Sequence, residues 1–171
     1  MIKPILLLGD PRLYQKSAPI QKEEMGLITD AVDDLHDTLM DFRRRYGAGR
    51  AIAAPQIGVF RRLIYMHVDQ PVVLVNPVLR FVDEEMMEVL DDCMSFPELL
   101  VKVMRYRRCV VEFKDMNGRD NRMGLEGDLS ELLQHEYDHL DGILATMRAI
   151  DSQSLCLKSQ RHIFDREQRG I

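Results

Sequence analysis

His135, Glu136 and His139 stand together in QHEYDHLDG, residues 134–142. Two imidazoles one helical turn apart can grip a divalent metal ion, and a carboxylate beside them can act as a general base on water at that ion. The surrounding GDLSELLQHEYDHLDG reads as one helix. Asp128 caps its first turn, Glu131 completes a capping-box pattern, and Gly142 supplies a left-handed stop. At about 100° per residue from His135, His139 falls at about 40°, Leu132 at about 60°, Glu136 at about 100°, Leu129 at about 120°, Leu140 at about 140° and Leu133 at about 160°. Glu136 therefore sits inside the leucine stripe. Ser130, Gln134, Asp138 and Asp141 fall on the opposite arc, where a solvated face is expected. A carboxylate among leucines is costly unless something compensates it, and a metal with its bound water would do so. The plainer reading is a capped amphipathic helix with histidines at its edge and Glu136 reaching out along its aliphatic stem.

Two histidines do not close a metal site. A thermolysin-type site takes a further ligand downstream, yet Asp151, His162, Asp165 and Glu167 lie in a short polar tail with no extended motif. Upstream, DDCMSFPELL places Cys93 in a loop-like stretch between strand candidates. One cysteine with two histidines is a catalytic ligand set. Taken alone, Cys93 reads as a small buried hydrophobe and Gln56 as a turn residue.

The elements that must position these residues are legible in outline. Leu27, Ala31, Val32, Leu35, Leu39 and Phe42 give residues 23–45 helical spacing, ended by glycines at 47 and 49, with RRR at 43–45 as the basic end of the helix. Short β-prone runs follow at RRLIYMHV, VVLVNPVL, LLVKVMRY and RRCVVEF, and an MNGR turn at 116–119 leads to another strand candidate. After the HExxH helix comes a polar tail with a helix expected from about Ser152 to Arg166, Cys156 upon it. This order predicts an α+β fold: mainly antiparallel sheets around a central HExxH helix, with an N-terminal and a C-terminal helix.

With 171 residues, 46% hydrophobic and 30% charged, residues 1–171 are expected to form one domain. No apolar run approaches a membrane span, and the N-terminus lacks a signal-peptide pattern, so a cytoplasmic location without membrane contact is expected. A net charge of −5 argues against general nucleic-acid binding. Three cysteines with no short spacing argue against a disulfide framework. Cys109 alternates with apolar neighbours and reads as core.

Three segments in order, GRAIAAPQ at 49–56, DDCMS at 91–95 and QHEYDHLDG at 134–142, resemble the peptide deformylase motifs GxGΦAAxQ, EGCΦS and QHExDHΦxG, where Φ is apolar. The opening PILLLGDPRLYQKSAPI and the NPVL at 76–79 are similar to that family too. The resemblance implies one divalent metal on Cys93, His135 and His139, with Fe(II) native and zinc or nickel often present after purification. It implies Glu136 as general base, and Gln56 with the Met94 backbone N–H as donors to the oxyanion. The implied reaction removes formate from the N-terminal formyl-methionine of new polypeptides, with nascent chains at the ribosome as partners. Two other readings stand beside it: a deformylase-like hydrolase of another N-acyl or formamide substrate, and a metal-binding protein of this fold without catalysis. Arg50 and Ala51 replace the apolar residue and second glycine of the first motif, and Asp91-Asp92 replaces Glu-Gly in the second. Glycine permits backbone conformations and close approaches that Ala and Asp restrict. Arg50 and Asp92 carry opposite charges on walls the family places across the substrate groove, so a pair bridging the groove mouth is one expectation, and two side chains pointing into water the other.

Overall fold

Leu35, Leu39 and Phe42 are buried along one side of α1 (Thr29–Tyr46) in the computed structural model, which describes residues 1–162. Arg43, Arg44 and Arg45 occupy the last turn, where cations suit the helix dipole, and Gly47 ends the helix at φ +65°. Arg43 then turns back to donate to the carbonyls of Gly49 and His67, tying the helix end to the next segment. Leu27 lies on the preceding 3-10 turn (Lys22–Leu27) and is exposed, so the helix begins later than its spacing implied.

The strands are β1 (Ala51–Ala53), β2 (Leu63–His67), β3 (Pro71–Phe81) and β4 (Met86–Asp92), then β5 (Leu99–Tyr106), β6 (Arg108–Lys114) and β7 (Asp120–Glu126). Helix α2 (Asp128–Leu140) and strand β8 (Leu155–Leu157) follow. One sheet has the order β1-β2-β3-β6-β7 and the other β4-β5-β8, every named pair antiparallel. This is an α+β fold. Side chains alternate across the larger sheet with the period of two that a strand imposes. Ile52, Leu63, Tyr65 and Val75 pack with Leu35, Leu39 and Phe42 of α1. Ala51, Ala53, Ile64, Met66 and Leu74 pack with Leu132, Leu133 and Leu140 of α2. The smaller sheet adds Val101 and Val103 to a cluster with Leu6, Leu13, Phe96 and Leu144. No helix among the described residues is long and apolar enough to cross a membrane.

Three expectations need correction, and one strand went unread. The arc of α2 expected in water is buried at Ser130, Gln134 and Asp138. Its polar ends are satisfied by β5: Ser130 Oγ and Gln134 Nε2 donate to the Tyr106 carbonyl at 2.9 and 2.8 Å, and the Tyr106 N–H donates to Gln134 Oε1 at 3.0 Å. Polar residues at helical spacing thus mark a second packed face. The capping box is absent too: Gly127, at φ +62°, precedes the helix, and Asp128 is its first residue, with its carboxylate turned to Arg50. In the expected tail helix, residues 155–157 form β8 instead, with Cys156 opposite Leu100, and a 3-10 turn covers Lys158–Gln160. The end of that expected helix, with Asp165 and Glu167, lies outside the described residues. Finally β4 was hidden in the acidic run DEEMMEVLDD, whose half-exposed positions carry little apolar signal.

Candidate functional site

The two histidines come from one face of α2 and the cysteine from the first residue after β4, so the site joins the smaller sheet to the helix. His139 Nε2 lies 3.2 Å from His135 Nε2 and 3.3 Å from Cys93 Sγ. All three side chains are buried, with one ligand atom of each lying within 4.8 Å of the others. Asp151 and His162, weighed as downstream ligands, are not part of this cluster. The Gly142 stop holds: at φ +71° it ends the turn just past the ligating face.

The orientation of His135 is fixed from behind. Its Nδ1 lies 2.7 Å from Asp91 Oδ1, which leaves Nε2 to converge on Cys93 and His139. Asp91 Oδ2 accepts from Arg105 at 2.7 Å, and Arg105 donates at 2.6 Å to Asp138, which Arg148 also holds. Burial would raise the Asp91 carboxyl, but His135 and Arg105 outweigh it and bring it down to about 2. Burial would likewise depress His135, yet Asp91 and Cys93 hold it well above its usual range, while burial and His135 drive His139 well below. A thiol and two imidazoles, one backed by a carboxylate, are a donor set that fits a divalent transition metal. Among the described residues, His139 Nδ1 and Glu136 Oε2 are buried without hydrogen-bond partners, as groups beside an ion site can be.

Glu136 is 3% exposed, and burial pushes its carboxyl up to about 7. Gln56 sits on the 3-10 turn after β1, where its Oε1 accepts from the Ala53 N–H at 2.9 Å. That bond aims Nε2 at the cluster, 3.2 Å from Ser95 Oγ and 3.5 Å from Cys93 Sγ. Met94 is buried and lines the same cavity as Gln56, Cys93, His135 and Glu136.

The sequence departures take up partners other than those expected. Arg50 and Asp92 do not bridge the groove: Arg50 lies 2.8 Å from Asp128 and 3.5 Å from Glu131, and Asp92 lies 3.2 Å from Lys158. Each found a partner nearer in the fold. Ala51 opens β1, and Asp91 and Asp92 end β4; none has a positive φ, so the backbone needs no glycine there. It does at Gly49, φ +116°, where an added Cβ would come within 3.2 Å of Leu39. Cys109 is core, and burial raises its thiol; Cys156 is buried in β8.

Sequence reasoning passed over Glu131, Arg105 and Asp138. Glu131 was read only as a capping residue, yet it lines the cavity, and burial with Asp91 raises its carboxyl to about 7 against His135, Arg50 and Arg105. The one available signal was the apolar run of β5, in which Arg105 is charged at a position whose alternation points inward.

A sequence model of the family described as polypeptide deformylase matches residues 2–154. A peptide deformylase of Thermotoga maritima is 31% identical over 157 residues, covering 91% of this chain and 92% of the relative. The solved peptide deformylase of that organism superposes with a TM-score of 0.80 at 30% identity, over 88% of this chain and 99% of that one. A class I type b peptide deformylase from Acinetobacter baumannii, solved with Met-Ala-Ser bound, gives 0.79 at 28% identity, over 86% and 99%. With a family match over most of its length, this chain belongs to the peptide deformylases.

Proposed function

We propose that Cys93, His135 and His139 hold one divalent ion, Fe(II) in the native protein, and that Glu136, Gln56 and Met94 carry out deformylation beside it. The substrate is the N-terminal formyl-methionine of new polypeptides, met as nascent chains at the ribosome in the cytoplasm. Residues 1–171 act as one domain with α2 at its centre. The observation that carries this reading is the convergence of a thiol and two imidazoles on a point flanked by a buried carboxylate and a primary amide.

When bound, the ion supplies Lewis acidity and makes a water acidic enough to lose its proton near neutral pH. Glu136, buried beside the cluster, is placed to accept that proton and to deliver one to the leaving amine. Gln56 Nε2 and the Met94 backbone N–H donate to the formyl oxygen as negative charge develops on it. Asp91 holds His135 in the tautomer that presents Nε2. Released formate carries away the formyl carbon.

The test is an anaerobic assay with Fe(II) and formyl-Met-Ala-Ser, reading formate. Formate release that disappears with a chelator and returns with Fe(II) supports the reading. A fully metal-loaded protein that releases none overturns it.

A further inference from the structure

Ser95 closes the stretch DDCMS yet takes no part in the deformylation proposed for this site. It stands behind the cavity wall, 1% exposed, two residues past Cys93. Its backbone N–H donates to Cys93 Sγ at 3.4 Å, and its hydroxyl accepts from Gln56 Nε2 at 3.2 Å. One residue thus touches both a candidate ligand and the amide that is to meet the formyl oxygen. The N-terminal segment braces both partners from the far side: the Leu6 N–H donates to the Gln56 carbonyl and the Leu8 N–H to the Ser95 carbonyl, each at 2.8 Å. Leu6 and Leu13 of that segment pack with Cys93 and Phe96, on either side of Ser95, so its backbone is held in place.

We infer that Ser95 is a positioning residue for deformylation, its hydroxyl fixing the plane of the Gln56 amide so that one N–H is kept for the formyl oxygen. The inference rests on the deformylase reading. A primary amide carries two N–H donors in one plane. Gln56 Oε1 accepts from the Ala53 N–H at 2.9 Å, which anchors the oxygen but leaves the group able to turn about that contact. The bond to Ser95 Oγ stops the turn and occupies one donor. The other contact of Nε2, Cys93 Sγ at 3.5 Å, lies in the ligand cluster, where the formyl oxygen has to come. A donor aimed there before the reaction costs no reorganisation as negative charge develops. With alanine at this position a buried N–H loses its acceptor, and the amide gains by turning both donors to whatever acceptors remain. Simple filling of space by Ser95 makes a different claim, a loss that does not depend on Gln56.

The test is a double-mutant cycle in the Fe(II)-loaded protein on formyl-Met-Ala-Ser, with kcat and KM measured separately for Ser95→Ala, Gln56→Ala and the two together. Losing an oxyanion donor outright costs about 10²-fold or more. Misdirecting one is therefore expected to lower kcat by about tenfold or more, with KM changed by less than about threefold. In the Gln56→Ala background the same Ser95→Ala change is expected to cost less than about twofold more, because the amide it orients is gone. A second readout does not involve turnover. With Co(II) in place of Fe(II), the thiolate-to-metal charge-transfer band is expected to be the same in Ser95→Ala as in the wild type, since the backbone N–H to Cys93 remains. Should the alanine variant not fold, Ser95→Gly also removes the acceptor and enters the same cycle. An equal loss with and without Gln56, or an altered Co(II) band, overturns the inference and leaves the deformylase reading standing. A fully loaded wild type that releases no formate overturns the reading itself.

Discussion

Glu136 shows how far a single residue can be read. Its place among Leu129, Leu132, Leu133 and Leu140 made it anomalous in the sequence, and its burial, with Oε2 unpartnered, makes it anomalous in the fold. Both anomalies would be resolved by a cation at Cys93, His135 and His139. Glu136→Ala is therefore expected to keep one metal per chain while losing formate release by at least about 10²-fold, the scale of a positioned general base. Metal analysis and a formyl-Met-Ala-Ser assay on the same sample decide it; unchanged turnover in a loaded variant removes Glu136 from the mechanism. The convergence of Cys93, His135 and His139 was legible because the types and spacing that can bind a metal are few. Asp91 was not, because a carboxylate in an acidic run looks like surface until the strand turns it inward. It stood out only as a deviation from Glu, yet the deviation keeps the charge and places it 2.7 Å from both His135 and Arg105.

At the scale of elements, the strands and helices written in apolar alternation or helical spacing were legible, including β2, β3, β5, β6 and most of α1. What escaped had its pattern overridden by tertiary partners. Ser130, Gln134 and Asp138 are polar at helical spacing because β5 offers them the Tyr106 backbone and Arg105. Residues 155–157 form a strand because the edge of β5 offers backbone partners to a segment whose composition favours neither state. In β3 the ladder shifts between Val75 and Val78, with Asn76 at φ +50°. Its side chain accepts from the Ile20 N–H and donates to the Ile20 carbonyl, both at 2.8 Å, a distant clamp that no local pattern encodes. Gly142 is the opposite case, a local signal with a tertiary reason as well. At φ +71°, an added Cβ would lie 2.4 Å from the Tyr14 carbonyl oxygen, in the N-terminal segment where the Ser17 N–H donates to the Leu140 carbonyl. Gly142→Ala is accordingly expected to cost at least about 2 kcal/mol, since strained dihedrals and a backbone clash coincide. Denaturant unfolding measures it. A loss below about 0.5 kcal/mol would show that the N-terminal segment yields freely there.

Across the whole molecule, the site concentrates buried charge that the fold must carry with or without metal. In the metal-free protein, burial raises Glu131 and Glu136 from 4.5 to about 7. Between those values the folded chain keeps protons that the unfolded chain has released, so stability falls as pH rises. His135 acts in the same direction. Burial opposes its protonation, but Asp91 and Cys93 prevail, so its contribution is full below 6.5 and lost as pH climbs through its raised folded value. His139, lowered by burial and by His135, acts the other way: its cost to folding is relieved as pH rises toward its unfolded value of 6.5. Asp91, lowered to about 2 by His135 and Arg105 against its burial, contributes stability above 3.8 that is lost as pH falls toward 2. The metal-free protein is thus expected to be more stable near pH 5 than near pH 8, by on the order of a few kcal/mol. A bound divalent ion reverses the trend, because it favours the ionised Glu136 beside it and requires a thiolate and neutral imidazoles, all forms that higher pH supplies. Thermal unfolding from pH 5 to 8, with chelator and with Fe(II) under anaerobic conditions, should give Tm profiles that diverge as pH rises. Parallel profiles, or a metal-free Tm that climbs across that window, would place the ion's influence away from these buried groups.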